Sequence, residues 1–280
     1  MYEVIFLWVL ALVFIIFAVV QDLKTREIAN WLNFSLIIFA LGFRFFYSLF
    51  QNDFSFFYQG IIGLGIFFIL GNLFYYGRVF AGGDAKLMIA LGTILPYFPN
   101  FSSNVLVFLN FLLIFLICGF FYILISSTAL CIKNFKSFKK EFLKQLKENK
   151  KILIITLFFS AVFFILGFFI IPFFILAIFF FLVFPLYLYS KAIDNACMIK
   201  DIHSIHLREG DWLYSDIKIG KNVIKANWDG LSKEDIKKIK KRFKIVKIRQ
   251  GIPFSPNFLF SFLIFIILTL LNIYLWNPFW

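Results

Sequence analysis

The sequence predicts an all-α polytopic membrane protein, with about eight transmembrane helices and a small α+β cytoplasmic domain. Three observations carry that expectation. The 280 residues are 62% hydrophobic and 15% charged, where soluble globular domains carry roughly 25% charged residues. Apolar runs of about 20 residues, the length at which a helix crosses a bilayer, recur along the chain. One long hydrophilic stretch, residues 191–253, interrupts them. This composition excludes a soluble enzyme and a disordered chain. Cys118, Cys131 and Cys197 form no CxxC pair, so neither a disulfide framework nor a zinc site is indicated. The net charge of +13 does not call for nucleic acid in such a chain. Basic loops beside apolar spans set topology and meet anionic lipid headgroups.

Taken in order, residues 4–20, 31–50, 60–76, 85–98 and 105–130 read as the first five spans; the fourth is short and follows a glycine pair. Residues 152–189 are too many for one helix and contain Pro172, so they read as two helices turning near Ile171 and Pro172. Residues 258–280 are the last span. The domain plan is a membrane core over 1–132, a basic cytoplasmic loop over 133–151, an additional hairpin over 152–190, the soluble domain over 191–253 and a final helix over 254–280. Within the soluble domain, residues 212–226 alternate around Gly220-Lys221, a hairpin pattern. Ser232-Lys233-Glu234-Asp235 resembles a capping box opening a basic helix to about Phe243, and residues 244–248 form a candidate strand.

Orientation follows from the basic residues. Lys24 and Arg26, Arg78 and Lys86, the lysine run of 133–151 and the stretch 191–249 all fall on one side of an eight-span chain. Arg44 is the only basic residue on the other side. The basic side is therefore expected to be cytoplasmic, with both termini outside, in the plasma membrane. Met1-Tyr2-Glu3 has no positive charge before the first span, so that span is not expected to be a cleaved signal.

Ionisable residues at the membrane are the first functional candidates. Asp22 ends the first span, Glu27 lies in the following loop, and Asp84 opens the fourth span. The parity of the spans puts Asp22 and Asp84 at one face and Asp53 at the other. Two carboxylates that meet in a partly dehydrated place do not both ionise easily, so one can activate water while the other donates a proton. The alternative is that both only end helices, Asp84 favouring a helix N-terminus. His203 and His206 read as surface histidines rather than metal ligands, and the lysine run as a solvated face against headgroups.

Asp22-Leu23-Lys24-Thr25-Arg26-Glu27-Ile28-Ala29-Asn30, taken with Ala81-Gly82-Gly83-Asp84-Ala85-Lys86-Leu87, resembles the type IV prepilin peptidases. These are membrane aspartic peptidases with a GxGD motif, and the likeness is strongest to the archaeal preflagellin (prearchaellin) branch. Here Ala81 stands at the first glycine of the motif. Leu207-Arg208-Glu209-Gly210-Asp211 and Gly251-Ile252-Pro253-Phe254 are similar to the cytoplasmic domain and final-helix entry of archaeal members. The resemblance implies that Asp22 and Asp84 are catalytic and that Gly82 and Gly83 support the motif. It implies pre-pilin or pre-archaellin substrates, and it implies neither cofactor nor metal. No CxxC is present, so peptidase activity without methyl transfer is expected. A rival from another class is an ion- or proton-coupled transporter using the aspartate pair. Transporter sites usually lie at the midplane between repeats, and the sequence shows no repeat.

Overall fold

The computed structural model describes residues 2–219, 222–227 and 230–275. The first helix, α1 (Tyr2–Thr25), buries Val4, Leu7, Trp8, Ala11, Ile15, Ala18, Val19 and Asp22. These recur every three to four residues, the stripe one helix face presents to a core. Asp22 is the last member of that stripe, so the periodicity that seats α1 also buries its carboxylate. Next come α2 (Asn30–Gln51) and α3 (Ser55–Tyr76). The buried face of α3 is Gln59, Gly60, Gly63, Phe67 and Gly71, a face built largely of glycine.

That face receives the short helix α4 (Gly82–Leu91). A Cβ at Gly63 would lie 2.2 Å from the Gly92 carbonyl oxygen, and one at Gly71 would lie 2.9 Å from that of Ala85. Only residues without a side chain permit two helix backbones to approach so closely. The long helix α5 (Phe101–Lys133) follows. Far along the sequence, α10 (Ser255–Leu270) packs on α1, with Trp8 edge-on to Phe265 at 6.3 Å. Phe67, Leu87, Met88, Phe111 and Phe262 lie in the common core of these helices.

The chain divides into two compact units, Met1–Leu124 with Pro253–Trp280, and Ile125–Ile252. In the second unit, α6 (Phe135–Glu148) occupies the stretch expected to be a basic loop. Phe135, Phe138, Phe142 and Gln145 follow one another at helical spacing, and the lysines take another face, which makes this an amphipathic helix. Helices α7 (Lys150–Gly167) and α8 (Pro172–Ala196) form a hairpin that turns at the expected proline. Part of the phenylalanine excess serves as stacked contacts between them, such as Phe163 with Phe180 at 5.4 Å. A three-stranded antiparallel sheet of order β1-β5-β2 follows, from β1 (Ile199–His203), β2 (Trp212–Leu213) and β5 (Ile245–Arg249). A hairpin of β3 (Ile217–Ile219) and β4 (Asn222–Ile224) lies beside α9 (Lys233–Arg242). Its expected turn at Gly220-Lys221 lies outside the described residues. The capping box is present: Ser232 Oγ accepts from the Asp235 N–H, and the Asp235 side chain accepts from the Ser232 N–H.

The protein is thus a mostly helical, polytopic membrane protein with a small strand-containing region. One expectation changes in detail. Among the described residues six helices are long and apolar enough to cross a membrane: α1, α2, α3, α5, α7 and α8. The other two apolar runs become α4, of 10 residues, and α10, of 16. Turns from Gly92 followed by Pro96 end α4, and a left-handed Asn272, at φ 56°, follows the end of α10.

Candidate active site

Asp22 and Asp84 are both buried, at 8% and 7% exposure. They are also close enough for the charge of Asp22 to act on Asp84. The two motif segments meet side by side to produce this. After Asp22, α1 ends on Arg26 in the left-handed region, at φ 61°, and the chain reverses. The Gln21 side chain holds the reversal by accepting from the Ala29 N–H at 3.0 Å. Ile28 then packs on Gly83, where an added Cβ would lie 3.1 Å from the Ile28 Cβ. Lys86 Nζ donates to Asn30 Oδ1 at 2.6 Å. Asn33 Nδ2 makes a long contact, 3.5 Å, to the Gly83 carbonyl. The segment 22–33 is therefore fitted against 81–86 at three places.

Asp84 is the third residue of α4, after Gly82 and Gly83. Its carboxylate lies over the start of α4, near the Ala81 backbone, and Oδ1 is buried without a hydrogen-bond partner among the described residues. Ala81 sits at φ −70°, ψ 160°, extended backbone that alanine adopts without strain, so the first glycine of the motif is not needed here. Gly83 is needed for the close approach of Ile28. Gly82 faces only the Tyr75 ring at 3.7 Å.

Asp22 has a partner that the sequence reading missed. Asp22 Oδ2 accepts from the Ser255 backbone N–H at 3.3 Å, at the start of α10. The N-terminus of a helix offers free N–H groups and a favourable dipole to a carboxylate. Phenylalanines wall the neighbourhood: Phe80, just before the motif, lies within 6.0 Å of Phe115, Phe254 and Phe258 by ring centroids. Four further buried side-chain oxygens lack partners among the described residues, and three of them, Asn33 Oδ1, Ser255 Oγ and Asn257 Oδ1, belong to or adjoin the segments that contact Asp22 and the Asp84 motif. Buried polar atoms of this kind are normally satisfied. Their presence beside the aspartates fits a place where water or a peptide is received.

The remaining candidates lie elsewhere. Asp53 is exposed between α2 and α3. Its carboxylate accepts from the Ser55 N–H and hydroxyl, each at 2.8 Å, bonds that hold it below the usual carboxylate range. Glu27 is exposed in the loop after α1. Among the described residues no group of three metal-ligating side chains occurs, and this includes the surroundings of His203 and His206.

Comparison with known proteins finds similarity over the same part of the chain. Residues 9–126 match the model of the type IV leader peptidase family. The preflagellin peptidase of Methanococcus maripaludis is 35% identical over 91 residues, which are 32% of this chain and 39% of that protein. That of Methanocaldococcus jannaschii is 34% identical over 82 residues, 29% and 35% of the two chains. That of Methanococcus voltae is 29% identical over 98 residues, 34% and 42%. The chain thus spans about two fifths of the length of these relatives. No solved structure matches it. The matched residues hold both motif segments and the helices that bring them together, so the similarity to the type IV leader peptidase family lies in this part of the chain.

Proposed function

We propose that the protein is a membrane aspartic endopeptidase that removes the short basic leader from archaeal type IV pilin-like or archaellin precursors at the cytoplasmic membrane face. The observation that carries this reading is that two buried aspartates, Asp22 and Asp84, lie on motif segments fitted against each other, near enough for the charge of one to act on the other. In this mechanism one carboxylate takes a proton from water as the water attacks the scissile carbonyl. The other, protonated, donates to the carbonyl oxygen; the proton taken from water is then passed to the leaving amine as the C–N bond breaks and the carbonyl re-forms, its oxygen returning its proton to the second carboxylate. Gly83 lets the loop after α1 close on the motif, and Gly82 continues the backbone that carries Asp84. No cofactor enters the reaction. The family match and the name preflagellin peptidase on three relatives support the substrate class. Cleavage frees the hydrophobic helix of the substrate to pack into a filament. Glu27, exposed beside the site, is positioned to meet the positive charge of a leader. The lysines of α6 and α9 face anionic headgroups in this reading.

Two measurements test it. Purified protein in lipid is mixed with a panel of precursors that vary at the residue before the cut. Cleavage is expected after glycine or alanine and not after bulky residues, read as a gel shift and as the mass of the released leader. Equal processing of bulky and small residues counts against the reading. The second concerns orientation. Cys197, the natural thiol on the basic side, is buried, so exposed positions serve better. Lys140→Cys is expected to react with an impermeant maleimide only in opened cells, and Asn100→Cys in intact cells. Reaction of Lys140→Cys in intact cells would place the lysine-rich side outside.

A further inference from the structure

One charged side chain in the helical core has no place in the reaction just described. Arg44, on α2, is completely buried, and no acidic residue pairs with it among the described residues. Its guanidinium is satisfied by backbone carbonyls. Nε donates to Thr93 O at 2.7 Å, and Nη1 to Phe56 O at 2.8 Å. Nη2 donates to Ile94 O at 3.3 Å and also to Pro96 O. The Phe56 ring lies under the guanidinium carbon at 4.2 Å. Three of the four carbonyls belong to the turn that ends α4, the helix whose other end carries Asp84. The slot is built for this side chain, since a Cβ on Gly60 would lie 2.5 Å from Arg44 Cδ.

Leaving a charge unpaired in an apolar core costs several kcal/mol in general, so a simple packing role would be filled more stably by an apolar residue. A planar fork that grips several carbonyls supplies geometry instead. A cation at the C-terminal end of a helix also complements the dipole of that helix. The α4 helix, with 10 residues at about 1.5 Å each, is a rod of roughly 15 Å. Whatever fixes its far end therefore sets how far Asp84 projects toward Asp22.

We propose that Arg44 is a positioning residue that holds α4 along its axis and so sets the approach of Asp84 to Asp22. The proposal rests on the aspartate reading for its effect on catalysis, but not for its effect on geometry. Arg44→Met keeps length and bulk while removing charge and donors; Arg44→Lys keeps the charge without the fork. Turnover per folded molecule is expected to fall on the order of 10²-fold in Arg44→Met, the scale of a 1 Å misplacement. KM should stay within about twofold, because the substrate contacts are untouched. Arg44→Lys should lie between. The independent readout is a cross-link. With Cys118, Cys131 and Cys197 replaced by alanine, Asp22→Cys and Asp84→Cys are joined by a short bis-maleimide, and Arg44→Met should lower the yield about fivefold or more, on the same argument that misplacement separates paired groups. Gly60→Ala displaces the Arg44 side chain without deleting it and should reproduce both effects. It serves in place of Arg44→Met if that variant fails to accumulate. Wild-type cross-linking and turnover in these variants would overturn the proposal. So would a loss confined to the amount of folded protein, with unchanged turnover per folded molecule. If Asp84→Asn proves active, the aspartate reading fails, while the cross-link still reports whether Arg44 holds α4.

Discussion

Asp22→Asn and Asp84→Asn are each expected to abolish cleavage of a leader-bearing precursor, while the protein should insert and accumulate as the wild type does. Asparagine keeps the size of aspartate and its capacity to accept hydrogen bonds, so the Ser255 N–H retains its partner in Asp22→Asn. It can neither hold the charge that activates water nor pass on a proton. The expected loss is on the order of 10⁴-fold, as when one member of a catalytic unit is removed, and the double variant should be about as inactive as either single one. Asp53→Asn, which touches only the start of α3, leaves turnover unchanged. The measurement is initial rate at matched protein level. Substantial activity in either single variant sinks the aspartic mechanism, and loss of insertion in both shows that these carboxylates serve helix ends.

The second large effect concerns the seam between α3 and α4. Gly63→Ala and Gly92→Ala each place a methyl group against a backbone carbonyl of the other segment, at 2.2 and 2.5 Å. Backbone cannot rotate away as a side chain can, so the two elements must separate. Overpacking of this kind costs about 1–3 kcal/mol, and a seam with no flexible neighbour lies at the upper end. The melting temperature in detergent should fall by several degrees for each. Gly65→Ala and Gly42→Ala, where nothing lies within 4 Å, should leave it unchanged or raise it, since alanine favours helix over glycine. Equal behaviour of all four variants would contradict the seam. Because Asp84 rides on α4, the folded fraction of Gly63→Ala should also lose turnover.

What could be read from the sequence, and what could not, follows the range of the interactions involved. Asp22 and Asp84 were legible because charge is rare in this chain and the spans could be counted. That both are buried was less so, although the α1 stripe of small and apolar residues runs in phase to Asp22. Asn33, Arg44 and Ser255 gave no local signal. Their partners lie about 50 residues away for the first two and 233 for the third, and spacing in sequence carries no information at that range. Arg44 was noticed only as the exception to a charge rule. Helix α6 was hidden by its lysines, although Phe135, Phe138 and Phe142 already showed the period. Strand β1 was missed because its letters do not alternate; Lys200 and Asp201, adjacent and on opposite faces, are both exposed. The lengths of α4 and α10 were overread, since apolar letters continue past the residues where turns take over.

The Ser255 contact has a consequence for biosynthesis. A membrane chain is inserted from its N-terminus, and Asp22 is laid down in the first helix. The N–H that receives its carboxylate arrives only with residue 255, at the threshold of α10. A chain halted between residues 88 and 254 contains both aspartates and both motif segments, yet lacks the donor that receives the Asp22 carboxylate. The seating of Asp22 thus waits on a segment made long after it, and copies halted earlier leave that carboxylate without this donor.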